Sequence, residues 1–214
     1  MTNNPTLFVA DDHPLLLKGL IDELKSNNYN IIGTATNGTS ALEMISDNHP
    51  DIAILDIEMP LLNGLEVIKK CKEKGISTKF IILTSYKESQ FIFKAKSLNI
   101  SGYLLKDEPF EELQKCISAI KNNKTYFSTT FNSIFENKVS PEIAKLKLLS
   151  PSERTIIRLI AQGKTSNEIS EQLFISTRTV QKHRTNIINK LDLDSSADAL
   201  KVWATSNKEL LSTI

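Results

Sequence analysis

The stretch Ile52-Ala53-Ile54-Leu55-Asp56 decides the fold of the first half of the chain, because it is a short apolar run that ends in an acid. Four similar runs also end in polar or turn-forming residues. They are 7–10 before Asp11 and Asp12, 31–36 before Asn37 and Gly38, 80–83 before Thr84, and 103–105 before Lys106. Stretches with helical spacing separate the runs, for example over 110–120. This alternation predicts an α/β domain with a doubly wound, five-stranded parallel sheet that is covered by helices on both faces.

The carboxyl ends of parallel strands lie at one edge of such a sheet, where ligands bind in this class of fold. Three carboxylates, those of Asp11, Asp12 and Asp56, are therefore expected to converge there. The Thr84 hydroxyl and the Lys106 ammonium follow their strands at the same edge. Carboxylate oxygens suit a hard divalent cation such as Mg²⁺, and a hydroxyl and an ammonium suit a phosphoryl group. A single Asp after a strand is more often a helix cap, but the joint pattern predicts Mg²⁺-dependent phosphorylation of one carboxylate.

Residues 5–122 resemble the receiver domain of two-component response regulators. The motifs that carry this resemblance are Asp11-Asp12-His13-Pro14, Asp56-Ile57-Glu58-Met59-Pro60 with Asn63-Gly64, Leu83-Thr84-Ser85, and Lys106. The resemblance implies a flavodoxin-like fold. The sequence departs from the family at Pro109, which stands three residues after Lys106, where many receivers have proline directly after the lysine. This departure leaves the geometry of the loop open.

The resemblance also implies a role for each residue of the cluster. Asp56 would be the phosphoacceptor, and Lys106 would pair first with Asp56 and then with a phosphoryl oxygen. Thr84 would donate a hydrogen bond to the phosphoryl group. Tyr103 would be an aromatic switch that turns inward when Thr84 moves, and the alternative for Tyr103 is a static, half-buried ring. The implied ligands of Mg²⁺ are the side chains of Asp12 and Asp56, Asp11 through a water molecule, and the backbone carbonyl of Glu58.

Charge is unevenly divided in this chain of 214 residues, whose formal net charge is +1. Residues 1–124 contain 14 basic and 16 acidic side chains, whereas residues 125–214 contain 12 and 9. The basic second half is a weak indication of contact with nucleic acid. No apolar run approaches the roughly 18 residues of a membrane span, no signal peptide is visible, and the two cysteines match no metal or redox motif. We therefore expect a cytoplasmic protein without membrane contact.

Capping signals in the second half predict short helices. Ser150 with Glu153 and Thr165 with Glu168 are two capping boxes. A longer helix is predicted over 177–191, and two short helices joined by a tight turn are typical of a helix-turn-helix motif. The predicted domains are a receiver at 1–122, a linker at 123–147 and a small all-α, four-helix domain at 148–214.

The helix predicted over 177–191 has one polar and basic face. Its apolar stripe consists of Val180, Ile187 and Leu191, and no acid occurs over 174–190. The opposite face carries Arg178, Gln181, Lys182, Thr185 and Asn189. Because Gln and Lys can reach base edges and Arg and Lys can hold phosphates, this face suits a DNA major groove. From charge alone, a solvated amphipathic helix is an equally good interpretation.

Residues 148–214 resemble the LuxR-type, four-helix DNA-binding domain. The matching residues are Leu149, Pro151, Glu153, Gly163, Glu168, Ile169, Ser176, Thr179, Val180, His183, Ile187, Lys190 and Leu191. The implied DNA-binding residues are Arg178, Gln181, Lys182, His183, Arg184, Thr185 and Lys190. Family members often have Lys where Gln181 stands, so the base preference does not carry over. The fourth helix, predicted here over 197–203, often forms the dimer contact in the family.

Together the two resemblances imply a two-component response regulator of the NarL/FixJ type, a transcription regulator that is switched by phosphorylation of Asp56. The implied partners are a sensor histidine kinase, double-stranded DNA and a second copy of the chain, with Mg²⁺ as cofactor. No enzyme activity is expected beyond the phosphoryl chemistry at Asp56. Two alternatives stay open: a DNA-binding regulator whose receiver is never phosphorylated, and an Asp-nucleophile phosphohydrolase with Glu58 as general acid. The second alternative leaves Asp11, Asp12 and the second domain without a role.

Overall fold

The structure, a computed structural model, describes residues 4–194 and 198–211. The chain divides into two compact units, and the boundary falls between Ile134 and Phe135. The first unit contains the predicted sheet and the second is helical. None of the helices within these ranges is long and apolar enough to cross a membrane.

The first unit is built around one parallel sheet. Its strands are β1 Thr6–Ala10, β2 Asn30–Ala35, β3 Ile52–Leu55, β4 Lys79–Thr84, β5 Gly102–Leu105 and β6 Tyr126–Phe127. They follow the order β2-β1-β3-β4-β5-β6, and each neighbouring pair is parallel. Strands β1, β3, β4 and β5 are largely buried, as expected for a sheet covered on both faces. The predicted doubly wound parallel sheet is therefore confirmed.

The number of strands needs correction, because the described residues form six and not five. Strand β6 pairs with β5 through Tyr126 opposite Gly102 and Phe127 opposite Tyr103. In addition, the Tyr126 amide donates to the Ser101 carbonyl at 2.9 Å. A strand of two residues is too short to produce a detectable period in the sequence. It lies in the segment that was predicted to be a linker.

Helices cover both faces of this sheet. In the described residues of the first unit they are α1 Pro14–Ser26, α2 Gly38–Asn48, α3 Gly64–Glu73, α4 Ser89–Ser97, α5 Phe110–Lys121 and α6 Thr129–Ile134. The core beneath α1 and α5 is continuous, since Val9 and Ile54 share one buried cluster with Leu24 and Ile117. Burial of such side chains stabilises the fold by about 1.5–3 kcal/mol each.

The second unit is a set of short helices around α10. After a π-helical segment at Phe135–Val139, its described helices are α7 Ser140–Lys147, α8 Pro151–Ala161, α9 Ser166–Leu173, α10 Thr177–Leu191, α11 Ala199–Ser206 and α12 Lys208–Leu211. Both predicted capping boxes are present, at Ser150 with Glu153 and at Thr165 with Glu168. The four predicted helices correspond to α8–α11, while α7 lies in the predicted linker and α12 adds one short turn. The predicted start of the fourth helix at Ala197 lies outside the described residues.

Candidate functional site

Strand register places Asp11 beside Asp56. Strands β1 and β3 pair so that Ala10 is opposite Leu55, and the Asp56 amide donates to the Ala10 carbonyl at 2.9 Å. Both acids directly follow their strands and both are buried. Together with Asp12 and His13 they offer ligand atoms that all lie within 4.8 Å of one another. The three carboxylates that were named from the sequence are thus brought together at one edge of the sheet.

Two of these carboxylates share one ammonium group. Lys106 Nζ lies 2.6 Å from Asp11 Oδ2 and 2.7 Å from Asp56 Oδ2. The register of β4 and β5 sets Leu105 opposite Thr84, and the Lys106 amide donates to the Thr84 carbonyl at 2.9 Å. Sequence reasoning had paired Lys106 with Asp56 alone. The contact with Asp11 shows that the lysine balances both acids.

The pKa values of Asp56 and Lys106 are both raised in this cluster. The pKa of Asp56 is raised because burial penalises its charged form, and hydrogen bonds from Lys106 and Thr84 only partly offset that penalty. Burial alone would lower the pKa of Lys106, but hydrogen bonds to Asp11 and Asp56 and the charges of both acids outweigh burial and raise it. The pocket therefore holds a permanent cation beside Asp56. Such a cation suits a phosphoryl group, because charge-assisted hydrogen bonds to phosphate are strong.

The donor set of the pocket fits Mg²⁺. Carboxylate oxygens are the hard ligands that this ion prefers, and like-charged acids so close together repel one another without a cation between them. Oδ1 of Asp12 is shielded from solvent and accepts no hydrogen bond, although His13 Nδ1 lies 2.9 Å away. A cation bound among Asp11, Asp12 and Asp56 would satisfy that oxygen.

A close backbone contact shapes the loop that follows Asp56. A Cβ atom at Gly64 would lie 2.0 Å from the Asp56 carbonyl oxygen, so a side chain there would force the two backbones apart. The Gly64 amide donates to the Ile57 carbonyl at 2.8 Å, and Asn63 forms a capping box at the start of α3. Glycine at this position is therefore required for the position of the acceptor loop.

Sequence reasoning missed Tyr86, which contacts the loop after Asp56. Its hydroxyl donates a short hydrogen bond to Glu58 Oε2, and this bond is the main reason that the pKa of Tyr86 rises to about 12. The Tyr86 amide donates to Thr84 Oγ1 at 3.3 Å. The available signal was an aromatic residue two positions after Thr84. The expectation for Glu58 concerned its backbone carbonyl and stays a prediction.

The loop after Lys106 is closed without an adjacent proline. The Leu105 amide donates to Glu108 Oε2 at 2.8 Å, and the Glu108 amide donates to the Leu105 carbonyl at 3.1 Å. These two reciprocal bonds fix the turn that precedes Pro109. Glu108 therefore fixes the geometry of the loop after Lys106, which the displaced position of Pro109 had left open.

Tyr103 is fully buried on β5, which excludes the half-buried position considered above. Its hydroxyl donates to the Tyr86 carbonyl at 2.9 Å, and burial raises the pKa of Tyr103 so that the phenol remains a donor. The ring lies against Phe131, with 4.8 Å between the ring centroids. The ring thus points inward in this structure, and its role as a switch stays a prediction.

Helix α10 of the second unit has the polar face that its spacing predicts. Val180, Ile187 and Leu191 are fully buried. The exposed residues that face solvent include Arg178, Gln181, Lys182 and Thr185. Gln181 Nε2 donates to Ser166 Oγ at 3.2 Å, which links this face to the start of α9. The four residues form a continuous polar surface on one side of the helix.

Three other residues named from the sequence, His183, Arg184 and Lys190, are half-buried. Lys190 Nζ lies 2.7 Å from Oε2 of the buried Glu153, which also accepts the Ser150 amide. Burial works against the Glu153 charge, but the hydrogen bonds from Lys190 and Ser150 outweigh burial and lower the pKa of Glu153. Lys190 is therefore the cation that balances Glu153, and its contact with DNA stays a prediction.

Both units match models of known families. The model described as "Response regulator receiver domain" matches residues 7–118, and that described as "Bacterial regulatory proteins, luxR family" matches residues 147–203. The transcriptional regulatory protein DesR of Bacillus subtilis (strain 168) is 31% identical, over 91% of this chain and 94% of its own length. The DNA-binding transcriptional activator EvgA of Escherichia coli (strain K12) is 32% identical, over 94% and 98%.

A solved structure supports the same relationship at the level of the whole chain. The structure of two RcsB dimers bound to two parallel DNAs has a TM-score of 0.68 and 26% identity, and the match covers 95% of this chain and 99% of that one. The chain therefore belongs to the DNA-binding two-component response regulators, which join a receiver domain to a LuxR-type DNA-binding domain.

Proposed function

We propose that Asp56 is the phosphoacceptor of this response regulator and that its phosphorylation controls DNA binding and dimerisation. The observation that carries the proposal is the Lys106 ammonium, which is shared by Asp11 and Asp56 in a pocket where Asp12 adds further carboxylate oxygens. A nucleophilic carboxylate, a nearby cation and a metal-binding set are the parts that phosphoryl transfer requires.

The donor would be a phosphohistidine of a sensor kinase or a small phosphodonor. A carboxylate oxygen of Asp56 would form a bond to phosphorus as the N–P bond of the phosphohistidine breaks. Lys106 would then move from Asp56 to a phosphoryl oxygen, and the Thr84 hydroxyl would donate to another. The proposed Mg²⁺ ligands are Asp11, Asp12, Asp56 and the Glu58 carbonyl. A metal ion bound there would neutralise charge on the transferred group.

The exposed face of α10 is the proposed DNA contact. In this contact Gln181 would reach base edges, Lys182 would contact a phosphate, and Arg178 and Thr185 would extend the same face. His183 and Arg184 are proposed as phosphate contacts at its border. A dimer would read two half-sites about 34 Å apart, one turn of DNA, and the RcsB dimers on DNA support such an arrangement.

The proposed modules are the receiver at residues 1–122 and the DNA-binding module at residues 148–214; of the residues 123–147 that connect them, β6 and α6 belong to the first unit. A regulator of this kind acts where the genome is, and for relatives that are bacterial this is the cytoplasm.

Incubation with acetyl phosphate and Mg²⁺, followed by intact-mass measurement, tests the phosphoacceptor. We expect one phosphoryl group on the wild type, none on Asp56→Asn, and normal labelling of Asp47→Asn, an exposed acid of α2. Chelation of Mg²⁺ should abolish the label on the wild type. An unlabelled wild type would favour the regulator with a silent receiver, and a labelled Asp56→Asn would move the acceptor to another residue.

A further inference from the structure

The segment after α5 packs against the residue predicted to be the switch. Phe131 of α6 is buried, and its ring lies 4.8 Å from the Tyr103 ring at an angle of 46°. Phe127 of β6 stacks on the same Phe131 ring, also with 4.8 Å between the ring centroids. Lys96 Nζ lies 4.1 Å from the centroid of Phe127. The sequence predicted only a linker here, but these residues form an ordered extension of the receiver.

The backbone of Tyr103 holds the same segment. The Ser128 amide donates to the Tyr103 carbonyl at 3.2 Å, and Ser128 Oγ accepts the Phe131 amide at 3.2 Å at the start of α6. Ser128 is fully buried. Tyr103 therefore anchors α6 twice, through its carbonyl and through its ring.

A short chain of hydrogen bonds joins this anchor to the phosphorylation pocket. Thr84 Oγ1 accepts the Tyr86 amide at 3.3 Å, and the Tyr86 carbonyl accepts the Tyr103 hydroxyl at 2.9 Å. The Thr84 hydroxyl already donates to Asp56, and a shift of this hydroxyl to donate to a phosphoryl group on Asp56 would alter the first of these bonds. The ring of Tyr103 could then not move without changing its contact with Phe131, because buried packing is close to solid density.

We propose that the Tyr103–Phe131 ring contact is the element through which phosphorylation of Asp56 acts on α6 and, through the chain that continues from Ile134, on the DNA-binding unit. This inference rests on the proposed phosphorylation of Asp56. The proposal requires that this buried pair adopt a second packing when Asp56 is phosphorylated, because coupling needs an element with two states that both sites bias. Segment 126–134 thus responds to the phosphorylation state of the receiver and is more than a linker between the two units.

The test compares DNA affinity with and without beryllofluoride and Mg²⁺ for the full chain. For the wild type we expect a change of about 5- to 150-fold, the usual range of allosteric coupling. Phe131→Leu, which keeps an apolar side chain but removes the ring, should bring the ratio close to one while acetyl phosphate still labels Asp56. Phe80→Leu is the matched control, since Phe80 is equally buried but lies at the opposite end of β4 from Thr84. It should keep the wild-type ratio.

The outcomes separate the two proposals. The proposed function would be refuted if acetyl phosphate did not label the wild type, or if beryllofluoride left the DNA affinity of the wild type unchanged. Normal labelling with an unchanged affinity ratio in Phe131→Leu would refute the ring contact alone. Should Phe131→Leu unfold, hydrogen exchange of segment 126–134 in the wild type decides: beryllofluoride must change its protection, and unchanged protection would overturn the inference.

Discussion

The ammonium nitrogen of Lys106 lies 2.7 Å from Oδ2 of Asp56, so the proposed phosphoacceptor is already paired with a cation before any phosphoryl group arrives. The same ammonium contacts Asp11 at 2.6 Å. Phosphorylation would therefore exchange the Asp56 carboxylate for a more negative phosphoryl group as the partner of Lys106. Breaking a buried pair is costly, so we expect Lys106 to keep an anionic partner throughout the transfer, while the added negative charge would need further neutralisation in the pocket.

Asp56→Asn should make the first unit more stable near neutral pH when Mg²⁺ is absent. The pKa of Asp56 is raised by burial, so its ionised form opposes folding at pH values above that raised pKa. As the pH falls through the raised pKa toward the ordinary value of 3.8, the wild type gains this stability back and the difference should shrink. Urea unfolding followed by tyrosine fluorescence measures it, because all four tyrosines lie in the first unit. A difference that does not vary with pH would contradict the prediction.

Gly64→Ala should slow phosphorylation by acetyl phosphate. The added Cβ would lie 2.0 Å from the Asp56 carbonyl oxygen and must displace the acceptor loop. Gly19→Ala is the control, because a Cβ there meets nothing within 4 Å and alanine stabilises a helix interior by about 1 kcal/mol relative to glycine. The rate of mass increase is the measurement. Equal labelling rates for both variants would show that the loop tolerates the displacement.

A double-mutant cycle at Glu153 and Lys190 should give a coupling energy of about 1–3 kcal/mol. Glu153 is buried and Lys190 is its cation, so Lys190→Met leaves an unpaired carboxylate. The pKa of Glu153 is lowered in the folded chain, so the stabilisation exists above the ordinary value of 4.5 and is lost as the pH falls through the lowered pKa. Trp203, the only tryptophan, reports unfolding of the second unit. Additive single-mutant effects at neutral pH would rule out the coupling.

Lys182→Ala should weaken DNA binding and reduce the slope of affinity against salt concentration by about 1, as expected for the loss of one phosphate contact. Lys208→Ala is the control, because Lys208 is exposed on α12 and has no proposed contact with DNA. Fluorescence anisotropy at several salt concentrations gives both slopes. Identical slopes for wild type and Lys182→Ala would move the DNA contact away from this face of α10.

The sheet and its acidic edge could be predicted from the sequence because their signals are local. Each central strand is a short apolar run, and the residue after it is read directly from the chain. Parallel topology then requires Asp11, Asp56 and Lys106 to meet, whatever the details of packing. The two faces of α10 are equally local, since a period of 3.6 residues separates Val180 from Gln181 without any knowledge of neighbours.

Other features depend on contacts between distant parts of the chain, and local sequence patterns do not predict them. Strand β6 forms because Tyr126 and Phe127 pair with the edge of β5. A strand of two residues is too short to show a hydrophobic period in the sequence. Glu108 closes the loop after Lys106, and Lys190 pairs with Glu153, only because the folded backbone brings each pair within hydrogen-bonding distance. Local periodicity thus sufficed for the class of fold and the composition of its pocket. The partners of individual polar side chains were settled by packing, because a polar group that becomes buried must bond to whatever the fold places beside it.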